Sequence, residues 1–182
     1  MVSSIRKRTL DAAVNLIGVE GIRALTHGRV DAAASLPPGS TSNYFRTRAA
    51  LVSGVIEWIA TQERGDGGLP EILTRDDFVE VLSRMIAIQS GPLAARTRAR
   101  YALFLEADDE AALPLREQRK GMEAWVRGIL LKIGGEAAAA RTTFVMAAAD
   151  GLLFHRVTVD PEAPIEPVVT GAVDAALAAP IR

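Results

Sequence analysis

The sequence predicts an all-α chain of about nine helices, and three observations lead there. Apolar residues recur three and four positions apart in one segment after another, the spacing of a single buried helical face. Clusters of glycine and proline separate these segments, and none shows the strict alternation of a half-buried strand. No repeat of 20 to 50 residues is visible, so a stacked array is not the source of the periodicity.

The elements follow in order. Ser3 or Ser4 can cap a first helix in which Leu10, Ala13, Val14 and Ile17 share a face, and Gly21 can end it in a left-handed turn. A short helix over Leu25–Ala34 is capped by Thr26, whose hydroxyl can accept an orphan backbone N–H. The stretch Leu36-Pro37-Pro38-Gly39 then makes a stiff turn into Ser40-Thr41-Ser42-Asn43, with Tyr44 and Phe45 behind. Proline suits that turn because it fixes φ and lacks only an N–H with no helical partner there. Leu25, Val30, Leu36 and Phe45 are the expected cover for the first helix.

Thr47 is the natural cap of a long fourth helix, Arg48 to about Arg64, with Leu51, Val55, Trp58 and Ile59 on one stripe. Residues 65–70 read as a loop on composition. A fifth helix spans Thr74 to Gln89 (Phe78, Val81, Leu82, Met85, Ile88) and is broken by Gly91-Pro92. Leu93 to Asp108 and Ala112 to Ile133 follow, the latter with Pro114 in its first turn and Gly121 and Gly128 weakening its interior. An alanine-rich helix from Ala137 to Ala149 leads on to Val157, and after Pro161 and Pro164 a last helix runs from near Ile165 to Ala179.

At 182 residues the chain can bury well over half the surface of its unfolded form. It has no cysteine, which removes disulfides, thiolate chemistry and cysteine zinc sites. No secretory apolar region follows Arg6-Lys7-Arg8 and no run of about 18 apolar residues occurs, so a soluble cytoplasmic protein without a membrane partner is expected. The net charge of −1 is unevenly spread. Residues 1–48 carry seven basic against three acidic side chains, +4, whereas the remainder carries fourteen against nineteen, −5. An electrostatic footprint for phosphate therefore lies on the first part alone. Arg6, Lys7 and Arg8 either reach a duplex as a basic arm or simply solvate a terminus.

Two short helices about a tight turn outline a helix-turn-helix, in which the second helix enters the DNA major groove. Leu10-Asp11-Ala12-Ala13, Leu16-Ile17, Glu20 and Gly21, Leu25-Thr26, Val30, Ala34, Gly39-Ser40, Tyr44-Phe45, Arg46-Thr47-Arg48 and Leu51 carry, in order and spacing, a resemblance to the TetR family of bacterial regulators. It covers residues 5 to about 52, roughly a quarter of the chain. Ser35 departs from it where glycine is usual, Pro37 where a capping serine is common, Ser42 where an aromatic is frequent, and Asp31 where a small apolar residue stands.

The resemblance implies a helix-turn-helix DNA-binding domain over 1–47 and a larger helical effector-binding and dimerisation domain over 48–182. By position, Gly39, Ser40, Thr41, Ser42 and Asn43 would face base edges or adjacent phosphates, Thr26, Tyr44 and Arg48 would grip the backbone, and Arg29 joins them. A homodimeric repressor on a palindromic double-stranded operator, released by a small apolar or amphipathic effector, is the function implied. Trp58, Met85, Gln89, Arg100, Tyr101, Phe104, Gln118, Met122 and Trp125 are candidate effector contacts. The last two helices would pair with their copies in a second chain, with Leu152, Leu153, Phe154 and Arg156 at the dimer interface; otherwise the alanines there serve helix propensity within a monomer. His27 and His155 lack the companions of a metal site or a catalytic base, and no nucleophile motif is present, so no enzyme, metal or cofactor is expected. A helical protein-interaction module whose helix-turn-helix no longer binds DNA is the alternative.

Overall fold

The computed structural model describes residues 4–65 and 71–178. The described residues form nine α-helices and one 3-10 turn: α1 Ser4–Glu20, the turn Ile22–Ala24, α2 His27–Ala33, α3 Ser40–Tyr44, α4 Arg48–Gly65, α5 Arg75–Ser90, α6 Ala94–Glu106, α7 Leu113–Ala139, α8 Thr142–Thr158 and α9 Glu166–Leu177. Ser3 as a cap, the loop over 66–70 and Ala179 as a helix end fall outside the described residues. No single described helix is long and apolar enough to cross a membrane.

The helices sort into two compact units. One holds α1 to α4, α6 and the start of α7; the other holds α5, the rest of α7, α8 and α9. The first unit extends beyond residue 47 because the apolar face of α1 needs more cover than α2 and α3 supply. Leu10, Ala13 and Ile17 pack with Leu25, Val30 and Phe45, but also with Leu51, Val55, Ile59, Ala99 and Leu103. Helices α1 and α6 approach closely at Gly18. A methyl there would lie 2.6 Å from the carbonyl carbon of Ala95 and 2.8 Å from its Cα, well inside ordinary contact. Arg98 Nε donates to the Gly18 carbonyl at 2.7 Å in the same place. Between α4 and α6, Arg100 donates to the buried Glu63 carboxylate at 2.7 Å.

In the second unit α5, α8 and α9 pack on one another. A capping box starts α5: the Thr74 hydroxyl accepts from the Asp77 N–H, and the Asp77 carboxylate accepts from the Thr74 N–H. Arg75 grips Asp174 of α9 through two hydrogen bonds of 2.8 and 2.9 Å. Phe78 meets Trp125 edge to face, with ring centroids 6.1 Å apart. The break expected after Ile133 is present as a kink in α7 at Gly135, whose φ of 73° is open to glycine at no steric cost. The helix then resumes to Ala139, so the alanines at 137–139 close α7 instead of opening α8. Helix α8 starts at Thr142, whose hydroxyl donates to the Ala139 carbonyl.

Candidate nucleic-acid interface

Helix α2 begins as its sequence suggests, with Thr26 in extended backbone and its hydroxyl accepting the Arg29 N–H. It ends in a Schellman-type turn: the Ser35 N–H donates to the Ala32 carbonyl and the Leu36 N–H to that of Asp31. Ser35 occupies the left-handed position, φ 52°, alone among described residues other than glycine. That is the physical reason glycine is usual there. Arg8 donates to the Ala34 and Ser35 carbonyls, which would otherwise be orphaned at this helix end. Arg6 lies over the Phe45 ring, 5.6 Å from its centroid. Residues 6–8 are thus helical, and Arg8 is committed to the protein: they form no extended arm.

The two prolines sit in the turn before α3, and Gly39 (φ 88°) precedes the helix with no side chain to cap it. Asp31 fills that role from α2. It is 3% exposed and accepts from the Gly39 N–H at 2.8 Å, the Thr41 N–H at 2.7 Å and the Thr41 hydroxyl at 2.5 Å. Burial pushes the Asp31 carboxyl up, but hydrogen bonds from the Thr41 hydroxyl, the Thr41 N–H and the Gly39 N–H, helped by His27, hold it below its ordinary value. At the other end of α3, His27 Nε2–H donates to the Phe45 carbonyl at 2.6 Å. Phe45 is buried against α4, where its ring lies over Gly54 and leaves no space for a Cβ.

Around this frame Ser42, Asn43 and Tyr44 are exposed on α3, and Gly39 is exposed in front of it. Ser40 is half-buried and its hydroxyl donates to the Pro37 carbonyl. Thr41 must be taken off the expected contact face: it is fully buried, its hydroxyl spent on Asp31. Thr26 is exposed beside them; Arg29 pairs with Glu20 at 2.5 Å. Arg48 reaches back to the Ile22 carbonyl at 3.0 Å, and the Thr47 hydroxyl caps α4 by accepting the Ala50 N–H.

The candidate effector contacts divide between the units. Trp58, Arg100, Tyr101, Phe104 and Gln118 belong to the first; Met85, Gln89, Met122 and Trp125 belong to the second. Several already have internal work. The Trp58 indole donates to Asp11, Arg100 is paired with Glu63 and lies over Tyr101, and Phe104 packs on the core. A surface groove of about 420 Å³ in the second unit is lined by Arg75, Asp76, Val79, Glu80, Ser83, Glu166 and Thr170, none of them among these candidates.

On α8 the expected dimer residues need correction. Leu152 and Leu153 are buried within the unit, 8% and 7% exposed, because that face of α8 meets α5 and α9. Arg156 is likewise turned inward, donating to the Ser90 hydroxyl and the Ala163 carbonyl. Phe154 is 49% exposed, and the opposite stripe of α8 adds Phe144, Ala147 and Gly151. On α9, Val168, Gly171 and Ala175 are exposed at matching three- and four-residue spacing.

With this geometry in hand, residues 73–179 match the family model described as the tetracyclin repressor-like C-terminal domain. The chain belongs to the TetR family. Comparison with curated proteins gives no match. Among solved structures, a TetR family member from Streptomyces coelicolor A3 is similar at 23% identity and a TM-score of 0.72, over 98% of this chain and 100% of that one. The multidrug binding protein EbrR, complexed with ethidium, is 23% identical, with a TM-score of 0.66 over 97% and 99%. The transcriptional regulator FadR from Bacillus subtilis, in complex with stearoyl-CoA, is 18% identical, with a TM-score of 0.70 over 94% and 97%. This TetR-family chain shares the fold of these transcriptional regulators over nearly its whole length.

Proposed function

We propose that this TetR-family chain is a homodimeric, sequence-specific DNA-binding repressor, acting in the cytoplasm and released from a palindromic operator by a small apolar or amphipathic effector. The observation that carries the reading is the exposed row Ser42, Asn43 and Tyr44 on a short helix held rigidly by its neighbours. Short polar side chains on such a helix can meet base edges, and asparagine can make the bidentate contact to adenine. Gly39 and Ser40 lie at the near end of the helix, and in this reading Thr26, Tyr44, Arg48 and Arg29 hold phosphates, Arg48 and Arg29 by leaving the Ile22 carbonyl and Glu20. Residues 1–47 serve as the reading head and residues 48–182 as the effector and dimer domain.

Dimerisation is supported by the exposed apolar and small-residue stripes of α8 and α9, where Phe144, Phe154 and Val168 border Gly151 and Gly171. Exposed apolar residues that line up along both helices are a common mark of a protein–protein contact. Control by an effector is supported by the ligands held by EbrR and FadR, a planar organic cation and a long-chain acyl thioester. A helix-turn-helix dimer must match half-sites about 34–36 Å apart, so a ligand that alters the span weakens binding.

The test is binding of the purified protein to a labelled fragment from upstream of its own coding region, against random DNA, at two salt concentrations. Specific binding that weakens with salt is the expected result. Absence of binding to either DNA refutes the reading and favours a protein-interaction module.

A further inference from the structure

Helix α3 has only five residues, too few to hold a helix by its own hydrogen bonds. Its orientation must come from outside. Thr41 is its only buried residue, so apolar packing contributes little until Phe45. Pro37 and Pro38 offer no N–H and no capping side chain, and the Gly39 cap position has none either. What fixes α3 instead is a pair of side chains one turn apart on α2. Asp31 takes three donors at its start, and His27 takes the Phe45 carbonyl at its end. Residues four apart share a helical face, so both reach α3 from one side.

Hydrogen bonds are directional to within a few tens of degrees, whereas burial is not. Four of them, two side chains, and both ends of one helix constrain its tilt as well as its distance. Building on the DNA-binding reading above, we propose that His27 and Asp31 are positioning residues for DNA recognition. They form a two-point polar clamp that sets the pitch of α3 and so decides which base pairs Ser42 and Asn43 reach, without touching DNA. The two departures at the turn are then linked: the carboxylate at Asp31 supplies the cap that a serine at position 37 would otherwise give.

The experiment enriches an operator from a random-sequence duplex library with the wild-type protein, then measures Kd on that operator and on random duplex for each variant. Melting temperatures and helical content are recorded alongside. For Asp31→Asn and His27→Leu the operator-to-random affinity ratio should fall by about tenfold or more, the worth of one base pair's discrimination. Affinity for random duplex should change little, because phosphate contacts set it. His27→Gln keeps an N–H for the Phe45 carbonyl and should retain the ratio, and Asp31→Ala combined with Pro37→Ser should recover part of it. If Asp31→Asn does not fold, the His27→Leu and His27→Gln pair decides. A ratio preserved while the melting temperature falls, or equal losses on both DNAs in folded variants, overturns the clamp. A wild-type protein that enriches no operator overturns the DNA-binding reading itself and the clamp with it.

Discussion

Replacing Gly18 by alanine tests whether the close approach of α1 and α6 is a tight backbone contact. The added methyl would sit 2.6 Å from the Ala95 carbonyl carbon and 2.8 Å from its Cα, where ordinary contact begins at 3.4 Å. Both neighbours are backbone, so no side chain can swing aside and the helices must part. Overpacking of this kind costs about 1–3 kcal/mol. Separation also stretches the Arg98 bond to the Gly18 carbonyl, a charge-assisted contact worth about 1.5–3 kcal/mol. Alanine's better helix propensity returns about 1 kcal/mol, leaving a net loss of about 1.5–5 kcal/mol. For a chain of this size that lowers Tm by roughly 10 °C. Urea unfolding followed by far-UV circular dichroism reads the helices of both units, the first holding Gly18 and the second Gly128. The internal control is Gly128→Ala in α7, which meets nothing within 4 Å. It should stabilise by about 0.5–1 kcal/mol. An unchanged midpoint for Gly18→Ala, or a loss at Gly128 equal to that at Gly18, would refute the packing argument.

Other predictions concern the turn, the reading face and the dimer. Ser35→Gly should stabilise by about 0.5–1 kcal/mol, since a left-handed non-glycine residue costs about 1–2 kcal/mol and glycine's entropy returns part of the cost; thermal melting checks it. The Asp31 carboxyl is held below its unfolded value, so its contribution is complete above the ordinary aspartate range and is lost as pH falls through the folded value. The stability gap between wild type and Asp31→Asn, about 1–3 kcal/mol at pH 7, should therefore close in acid; a gap independent of pH from 7 to 3 would contradict this. Asn43→Ala should shift preference at one base pair by about 1–3 kcal/mol, whereas Tyr44→Phe and Arg48→Ala should weaken all sequences alike, as competition binding on mutated operators will read. Phe154→Lys should convert a dimer to a monomer in light scattering without loss of helical content, while an unaltered mass would place the interface elsewhere.

What could be read from the sequence is what periodicity and local chemistry report. The stripe Leu10, Ala13 and Ile17 marks a buried face because burial repeats with the helix, and the Thr26 and Thr47 caps act within three residues of their partners. Asp31 is legible only as a departure, since its partners lie eight and ten residues on, across a turn whose geometry no spacing rule specifies. The signal that could reveal it is the pair it makes with Pro37: a missing cap at one position and an unexpected carboxylate at another. The inward side of α8 is not legible from its sequence, because the helix is apolar around most of its circumference and only the positions of α5 and α9 decide that Leu152 and Leu153 are covered within the chain. The effector candidates rest on residue type alone, and tryptophan, methionine and arginine serve cores and polar pairs as readily as ligands, as Trp58 and Arg100 do here.

The order of elements along the chain has a consequence for synthesis. The first unit needs α6 to cover α1, yet α5, which belongs to the second unit, lies between α4 and α6. Translation therefore delivers α2 and α3 well before the surface that buries their scaffold. Until residue 106 has left the ribosome, α1 has no neighbour at Gly18 and Arg98 cannot reach its carbonyl. At about 5–20 residues per second that interval lasts several seconds, long on the scale of helix formation and collapse. The nascent helix-turn-helix would thus wait as a partly covered intermediate, so that a chain truncated before α6 should aggregate or be degraded instead of accumulating as a small folded fragment.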